Sequence, residues 1–461
     1  MIEAENLALQ YARDNAARFL EDLKALCAIP SISSIPAHAG EVHRAAEWVA
    51  EALRQAGLEQ VRLLPTEGHP VLYGEWLHAG PSQPTILFYG HYDVQPALDL
   101  EAWESPPFEP RVRGEDLVGR GASDMKGQTL AEIDAIASWL RGTTSLPLNV
   151  KFLVEGEEEI GSRHLRKFIQ SHAELLACDA AFNGDAGMVT PELPSITYGL
   201  RGGLRVEVTV SGPTHDVHSG TFGGTLHNPA QALIELIAGM HDAHGRVTLP
   251  GFYDRVRQLE ADERASLALL PMDEKFFLSQ SGAPALWGEP EYTPLERTTA
   301  RPTLEVLSFH AGLAGEGVLN IVPAQAKAAL SMRLVPDQEP EASYQSLINY
   351  LQTQAPSTVH WEAHRLNNGG RASLLDRHTP LVKALDQALE ETWGVHPAYI
   401  RIGGGIPVVA QLQEELGIPS ILTGFGLPDD HIHGPNEKLH LPTWHKGIEA
   451  IIRFLKRASQ V

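Results

Sequence analysis

Thr85-Ile-Leu-Phe-Tyr-Gly-His-Tyr-Asp93 is the stretch of sequence that decides the fold class. Its first five residues are mostly apolar and β-forming, which is typical of a strand covered on both faces. Residues 148–154 and 179–182 repeat this pattern, and each run leads into a loop with acidic or histidine residues. An amphipathic helix over 41–56, closed by Gly57, precedes the first strand. We therefore predict an α/β domain with a mostly parallel sheet and helices on both faces.

A different pattern occupies the middle of the chain, where apolar and polar residues alternate over 203–210. Alternation of this kind is typical of a sheet with one solvated face. Asn228-Pro229 supplies an N-cap and a first-turn proline for a helix, and residues 326–334 alternate again. A helix over 340–354 and a strand over 359–364 complete a small α+β unit with a ferredoxin-like order of elements.

After this unit the chain returns to the first pattern, with a helix over 380–393 and a strand over 420–423. We predict that residues 1–200 and 373–461 form one α/β domain. Residues 201–372 are predicted to form an α+β lid inserted into it.

Composition restricts the class of partner. The chain has 36 Lys and Arg against 58 Asp and Glu, a net charge of −22 that would repel a polyanion, and no basic run offsets it. The acidic, polar start and the lack of a long apolar run give no sign of a signal peptide or a membrane span. We expect a cytoplasmic protein that binds neither nucleic acid nor membranes.

Side chains suited to metal binding follow the predicted strands. Function in open α/β sheets gathers at the carboxyl ends of the strands. The candidate residues in these loops are His91, Asp93, Glu155 to Glu159, Asp185 and His433, and a further acidic residue, Asp124, lies in the Gly-rich loop Gly119–Gly127. Histidine and carboxylate together suit zinc or a similar dication, and a shared carboxylate fits a site with two metals.

A two-metal arrangement assigns one role to each ligand. Asp124 bridges the two ions. His91 and Asp185 bind one ion with it, and Glu159 and His433 bind the other. Three carboxylates then face four positive charges, which leaves room for one hydroxide and brings the cluster near neutrality.

Two further carboxylates have other roles in this interpretation. Glu158 takes a proton from the water between the ions and later passes it to the leaving amine. Asp93 accepts the second ring proton of His91, which fixes the histidine tautomer. Spacing alone does not separate these roles. Each motif also has an ordinary explanation, since acidic runs often begin helices, Asp185 could cap a turn and His433 could be a surface histidine.

The chain resembles the M20 family of metallopeptidases, and within it the carnosinase-like dipeptidases. The matching motifs run in order through nearly the whole chain: Gly90–Pro96, Gly119–Gly127, Glu155–Ser162, Gly212–Gly224, Met332–Pro336 and Asp429–Glu437. The resemblance implies the ligand and base roles given above and a cis peptide bond after Asp124. It implies two divalent ions per chain, with zinc expected and manganese or cobalt as alternatives, because histidine and carboxylate ligands accept each of them.

The resemblance also assigns roles to residues outside the metal site. His218 reaches into the neighbouring subunit's site to stabilise the developing oxyanion, so a homodimer through the lid is expected. Arg333 binds the terminal carboxylate of a small peptide substrate, and Asn320, Gly404 and Gly405 belong to the same pocket. From the residues alone, His218 could instead be a turn residue bonded within its own loop, and Arg333 could form a surface ion pair.

One stretch departs from the family pattern. Carnosinase-like relatives usually read Glu-Gly-Gly-Ser where this chain has Ile402-Gly403-Gly404-Gly405. Ile402 replaces the acid and Gly405 replaces the serine. The departure leaves recognition of the amino-terminal side of the substrate open.

The function implied is hydrolysis of the amide bond of dipeptides or short peptides. An N-acyl-amino-acid deacylase or desuccinylase would use the same metal chemistry, although the long insertion over 245–300 favours a dipeptidase. From a different class, the protein could be an inactive metal-binding scaffold, but the retention of Glu158 argues against this. The sequence contains no HExxH, GxSxG, Walker or GxGxxG motif that would indicate another enzyme class.

Overall fold

The computed structural model describes residues 2–312, 317, 319–367 and 369–461. The chain divides into two compact units. The first unit comprises Met1–Tyr198, Leu375–Ile400 and Ile406–Val461, and the second comprises Gly199–Leu374 and Arg401–Gly405. The segment Arg401–Gly405, which lies within the range predicted for the first domain, therefore groups with the second unit.

The helices, in chain order, are α1 (Ile2–Asp14), α2 (Ala16–Cys27), α3 (Ala39–Ala56), α4 (Gln128–Thr143), α5 (Leu165–Ser171), α6 (Ala173–Leu176), α7 (Ser219–Phe222), α8 (Pro229–Ala238), α9 (Ala261–Leu267), α10 (Glu274–Ser281), α11 (Pro294–Thr299), α12 (Pro340–Gln354), α13 (Pro380–Trp393), α14 (Pro407–Leu416) and α15 (Leu441–Ala458).

The strands are β1 (Glu59–Leu64), β2 (Val71–Trp76), β3 (Thr85–His91), β4 (Arg111–Arg113), β5 (Asp116–Val118), β6 (Asn149–Glu155), β7 (Ala180–Asn183), β8 (Ser195–Leu200), β9 (Gly202–Ser211), β10 (Val217–His218), β11 (Thr303–Ala311), β12 (Ile321–Val322), β13 (Gln325–Leu334), β14 (His360–Arg365), β15 (Ser373–Leu374), β16 (Ala398–Ile402), β17 (Ser420–Leu422) and β18 (Lys438–His440).

In the first unit the main sheet has the strand order β1-β2-β6-β3-β7-β17-β8, and β16 also pairs with β8. Strands β6, β3, β7 and β17 are parallel neighbours, whereas the strands on either side of them pair antiparallel. The predicted α/β fold with a largely parallel sheet is confirmed. Helices α1 to α4, α13 and α15 add buried side chains to the core that the strands share. The parallel order brings the carboxyl ends of β3, β6 and β7 to one edge, where ligand-bearing loops begin.

Local sequence signals fix several helix ends. Helix α3 ends at Gly57, whose φ of 109° lies in the left-handed region that glycine tolerates. Helix α8 begins after Asn228, whose side chain accepts a hydrogen bond from the backbone N–H of Ala230. Thr379 caps α13 in the same way, so these predicted boundaries are confirmed.

The second unit is built on an antiparallel sheet with the order β11-β13-β9-β14. Alternate residues of β9 and β13 are buried, as the sequence pattern predicts, and pack against α8 and α12. The predicted order of strand, helix, strand, helix and strand is therefore present. Strand β11 joins this sheet as an edge strand that the sequence interpretation did not identify, and the insertion over 245–300 holds α9, α10 and α11.

Within the described part of the chain, no helix combines the length and the apolar character needed to span a bilayer.

Candidate metal centre

Five side chains of the first unit lie close enough together to hold metal ions. His91, Asp124 and Asp185 form one group. Asp124, Glu159 and His433 form a second, and in each group the ligand atoms lie within 4.8 Å of one another. The structure thus brings together the five residues that the sequence interpretation selected as ligands, with Asp124 shared between the groups.

His91 ends strand β3 and is completely buried. Its Nε2 lies 3.1 Å from Oδ1 of Asp124, and its Nδ1 lies 3.1 Å from the carbonyl oxygen of Asp93 and 3.3 Å from Oδ1 of that residue. Oδ2 of Asp93 accepts hydrogen bonds from Oγ of Ser33 at 2.6 Å and from the backbone N–H of Glu159 at 3.1 Å. Asp93 therefore faces His91 on the side away from the ligand group, with its backbone carbonyl making the shorter contact.

Asp124 presents a different oxygen to each histidine. Oδ1 faces Nε2 of His91 at 3.1 Å, and Oδ2 faces Nε2 of His433 at 2.8 Å. Burial raises the pKa of Asp124, but the hydrogen bonds from His433 and His91 outweigh it and hold the pKa well below its usual range. The peptide bond between Asp124 and Met125 is cis, as the resemblance implies. This geometry suits a carboxylate that bridges two cations.

Glu159 and Asp185 complete the two groups. Oε2 of Glu159 lies 3.1 Å from Nε2 of His433. Gln95 orients this carboxylate by donating its backbone N–H to Oε1 at 3.1 Å and its side-chain Nε2 to Oε2 at 2.8 Å. Asp185 follows strand β7, and its backbone N–H donates to Oδ1 of Asn183 at 2.7 Å. Each ligand is thus positioned by its own loop.

Glu158 lies beside the centre but outside both ligand groups of the described residues. Burial raises the pKa of Glu158 well above its usual range; His91 lowers it, and Asp185 and Asp124 raise it further. Burial, followed by the charge of Asp124, raises the pKa of Asp185 to about 7. These shifts show crowded carboxylates with too little positive charge among them. A divalent cation in each group would offset the repulsion, so the donor set fits two such ions.

Glu437 is part of this centre, and the sequence interpretation gave it no role. Its buried carboxylate accepts backbone N–H bonds from Gly121 at 3.0 Å, Ser123 at 3.1 Å and Asp124 at 3.0 Å. Nη1 of Arg120 donates to the same carboxylate at 2.7 Å. Glu437 therefore holds the loop that delivers the shared ligand. Its place at the end of the motif Asp429–Glu437 was the available signal.

The loop that carries His433 has an unusual backbone. His431, His433 and Asn436 have φ angles of 53°, 64° and 59°. Each such left-handed residue costs about 1–3 kcal/mol and persists only where the surroundings impose it. Arg120 contributes to that constraint, because its Nη2 donates to the carbonyl oxygen of Gly434 at 3.1 Å. One guanidinium thus links the two loops that meet at Asp124.

Comparison with known proteins places this centre in a family. Residues 87–457 match the family described as peptidase family M20/M25/M40. That region contains every residue of the metal centre and most of the chain. The chain belongs to this peptidase family. It is therefore a hydrolase of peptide bonds.

Named relatives of this M20 peptidase are dipeptidases. The Cys-Gly metallodipeptidase of Candida albicans is 28% identical over 459 residues, which cover 95% of this chain and 94% of that protein. The Beta-Ala-His dipeptidase of Homo sapiens is 28% identical over 476 residues, covering 98% and 92%. Among solved structures, an M20 family metallo-carboxypeptidase from Sulfolobus solfataricus matches with a TM-score of 0.85 and 31% identity, over 96% of this chain and 99% of that one.

The second unit of this M20 peptidase contains His218, which ends strand β10 and is exposed. Its Nδ1 accepts a hydrogen bond from the backbone N–H of Gly220 at 3.0 Å. A ring nitrogen that accepts from a backbone N–H carries no proton, so in the neutral ring the proton is on Nε2. The bond within its own loop is present, and it leaves Nε2 as a donor.

Arg333 and Asn320 also lie in the second unit. Arg333 is half-buried on β13, opposite Gly203 of β9, and burial followed by the charge of Arg205 lowers its pKa. Among residues 2–312, 317, 319–367 and 369–461, no carboxylate forms an ion pair with Arg333, so the surface ion pair considered above is not found there. Asn320 is exposed, and its backbone carbonyl accepts a hydrogen bond from Ser219 at 2.9 Å.

The glycines after Ile402 differ in how much space surrounds them. A Cβ on Gly403 would lie 2.5 Å from the carbonyl oxygen of Thr298, and one on Gly405 would lie 2.5 Å from that of Arg201. A Cβ on Gly404 would meet nothing within 4 Å. Backbone packing therefore explains two of the glycines, including the one that replaces the family serine.

Proposed function

We propose that this M20 peptidase is a dipeptidase that works with two divalent metal ions. The observation that supports this best is the position of Asp124. Each of its two carboxylate oxygens faces a different histidine, and each histidine belongs to a separate ligand group. His91 and Asp185 would hold one ion, Glu159 and His433 the other, and Asp124 both. The relatives named as dipeptidases over nearly their whole length support the class of substrate.

Glu158 is the proposed proton carrier of the reaction. When bound, the two ions polarise the scissile carbonyl group and lower the pKa of the attacking water. A carboxylate of Glu158 takes the proton from that water and then donates it to the nitrogen of the leaving amine. Burial, together with the charges of Asp185 and Asp124, raises its pKa and makes the protonated form accessible for the second step. Its position outside the ligand groups keeps its oxygens available for this transfer.

Two residues of the second unit complete the proposed chemistry. Nε2 of His218 is a donor, because Nδ1 accepts the N–H of Gly220, and a donor is what a developing oxyanion requires. Arg333 has a half-buried guanidinium, which suits the terminal carboxylate of a peptide. Asn320, Gly404 and Gly405 would line the same pocket.

We also propose a homodimer formed through the second unit, with His218 acting in the partner's site. Edge strand β11 supports this, because it exposes Val306, Leu307 and Phe309 by 44%, 54% and 38% of their surface. An edge strand with exposed apolar side chains is a surface that proteins normally cover. Zinc is the proposed metal, with manganese or cobalt as alternatives, and the cytoplasm remains our expected location.

The deciding experiment combines metal analysis with a substrate panel. Metal content is measured by mass spectrometry before and after chelation, together with hydrolysis of free dipeptides, N-blocked dipeptides, longer peptides and N-acyl amino acids. We expect two metal ions per chain and chelator-sensitive cleavage of free dipeptides. The N-blocked and longer peptides are included because a structural neighbour is a metallo-carboxypeptidase.

Each other outcome changes the proposal in a defined way. Cleavage of N-acyl amino acids alone would make the protein a deacylase with the same metal centre. Cleavage of N-blocked or longer peptides alone would make it a carboxypeptidase. Two bound metals with no hydrolysis of any substrate would favour a scaffold, and hydrolysis that survives complete metal removal would remove the metals from the reaction.

A further inference from the structure

A cavity of about 310 Å³ lies between helices α1, α2, α3 and α4 of the first unit. It contains none of the metal ligands or proposed substrate-binding residues. Its volume is at the lower end of the range of small-molecule sites, roughly 300–1,000 Å³. The side chains that give it chemical character are Tyr11, Arg18, Asp22, Trp48, Asp134 and Arg141.

Asp134 is the unsatisfied group of this cavity. It is only 4% exposed, and within the described residues its Oδ2 has no hydrogen-bond partner. The hydroxyl of Ser138, one turn along α4, donates to the backbone carbonyl oxygen of Asp134 at 2.6 Å and not to the carboxylate. Burying a carboxylate without partners is costly, and such groups normally pair with a cation or a donor. The cavity therefore offers an unpaired acidic group to a ligand.

The arginines at the cavity are already engaged. Nη1 of Arg18 donates to Oδ2 of Asp22 at 3.1 Å. Nε of Arg141 donates at 3.2 Å to the carbonyl oxygen of Gln55, which also accepts from Nη2. The guanidinium groups thus have acceptors, whereas Oδ2 of Asp134 has no donor among the described residues. Burial raises the pKa of Asp134 well above its usual range, and the charge of Arg18 offsets this only in part. This imbalance favours a cationic ligand over an anionic one.

Aromatic and aliphatic side chains supply the rest of a cation site. Tyr11 and Trp48 are half-buried in the cavity wall, and Leu130 and Ile133 are buried beside Asp134 on α4. Aromatic faces attract ammonium and guanidinium groups, and the attraction grows when the cation is desolvated. Aliphatic walls suit an apolar stem that carries such a group.

We propose that the cavity lined by α1 to α4 binds a small organic cation, an ammonium or guanidinium group on a short apolar stem. The cationic head pairs with the carboxylate of Asp134, and the stem contacts Trp48 and Tyr11. The two head groups share the chemistry that the site recognises, and the experiment separates them. This site is separate from the hydrolytic reaction. If no cation binds there, the proposed function is unaffected.

Calorimetric titration of the metal-loaded protein tests this with four probes of similar shape. The probes are n-butylammonium, n-butylguanidinium, n-butanol and butyrate. We expect saturable binding of at least one cation, with the stronger of the two identifying the preferred head group. Butanol should bind at least about tenfold more weakly, because it lacks the charge-assisted hydrogen bond. Butyrate should bind more weakly than both cations, because its carboxylate would lie beside that of Asp134.

Variants locate the binding in this cavity. Asp134→Asn should weaken cation binding at least about tenfold by removing the charged acceptor. Trp48→Ala, which keeps Asp134, should weaken it severalfold and serves as the second variant if Asp134→Asn fails to fold. The matched control is Glu51→Gln at the exposed rim, where the carboxylate already pairs with Arg54 at 3.4 Å. This change should alter affinity less than about twofold.

Several results would overturn the proposal. Absence of cation binding at tens of millimolar probe would do so, as would binding of butyrate in preference to both cations. Equal losses of cation affinity in Asp134→Asn and Glu51→Gln would show that the cations are attracted nonspecifically to an acidic protein. Unchanged affinity in both Asp134→Asn and Trp48→Ala would place the binding elsewhere. Thermal unfolding and dipeptide hydrolysis of each variant confirm that the protein is intact.

Discussion

Replacement of Glu158 by glutamine should separate proton transfer from metal binding. The carboxylate lies outside both ligand groups, so Glu158→Gln should keep the metal content of the parent. General acid and base catalysis contributes about 10²–10⁴-fold, and we expect kcat to fall by that factor. The measurement is kcat for a free dipeptide beside metal analysis of the same sample.

The neighbouring residue provides the control for this substitution. Glu157 is also a glutamate, but its carboxylate is buried and lies 2.8 Å from Nδ1 of His164. Glu157→Gln should therefore change stability more than kcat. Turnover of Glu158→Gln at the parent rate would remove that residue from the mechanism, and loss of metal would make it a ligand.

Residue types and positions in the sequence predict most of the candidate centre. His91, Glu159 and Asp185 are predicted because loops after parallel strands meet at one edge of a sheet, whereas Asp124 comes from the Gly-rich loop Gly119–Gly127. Glu437 could not be selected on that ground, since its role depends on backbone N–H groups of a loop 313 to 316 residues earlier in the chain. The motif Asp429–Glu437 marks the residue, but it does not show which backbone groups its carboxylate binds. The tautomer of His218 was equally hidden, because it follows from the path of its own turn.

At the scale of elements, the buried pair of Arg120 and Glu437 should couple the loops that carry two ligands. Removing one partner of a buried, hydrogen-bonded pair typically costs about 3–5 kcal/mol. Arg120→Met should therefore lower the free energy of unfolding by that amount and weaken metal binding. Adding Glu437→Gln to Arg120→Met should lower the free energy of unfolding by less than the sum of the two single changes. Urea unfolding and a chelator competition assay measure both effects.

The surface pair of Arg111 and Glu109 is the matched control for this coupling. Its atoms approach to 2.9 Å, but both side chains are more than half exposed. Arg111→Met should change the free energy of unfolding by less than about 1 kcal/mol and leave metal affinity unchanged. Equal costs at the two pairs, or a strictly additive double variant, would contradict the role given to Arg120.

Two glycines in helices should respond in opposite directions to alanine. A Cβ on Gly447 of α15 would lie 2.2 Å from the ring of Phe425, so Gly447→Ala should destabilise the first unit by about 1–3 kcal/mol. A Cβ on Gly40 of α3 would meet nothing within 4 Å, and Gly40→Ala should stabilise it by about 0.4–1 kcal/mol through the unfolded state. Thermal unfolding measures both. A stabilised Gly447→Ala variant would show that Phe425 moves freely.

The elements with strong periodicity were predictable, and those without it were not. Helix α12 and strand β13 bury regular sets of residues, so their bounds follow from the spacing of apolar positions. Strand β11 leaves Val306, Leu307 and Phe309 exposed, which blurs the alternation that identifies a strand. Strands β4 and β5 have three residues each, too few for any period to register.

At the scale of the whole molecule, the proposed dimer makes a prediction about two inactive chains. Glu158→Gln lacks the proton carrier in its own site, and His218→Ala lacks the donor that acts in the partner's site. In a mixed dimer one site carries both defects and the other carries neither. Random reassortment makes half of the dimers mixed, so activity should return to about a quarter of the parent value, because a twofold dimer has two equivalent sites.

The mixture is prepared by unfolding and refolding the two variants together, or by co-expressing them with different tags and purifying the mixed species. Each variant refolded alone is the control and should remain inactive. If mass spectrometry detects mixed dimers but the mixture is as inactive as its components, His218 acts in the site of its own chain. If light scattering shows a monomer, the proposal of a dimer is wrong. The exposed apolar side chains of β11 would then require a different explanation.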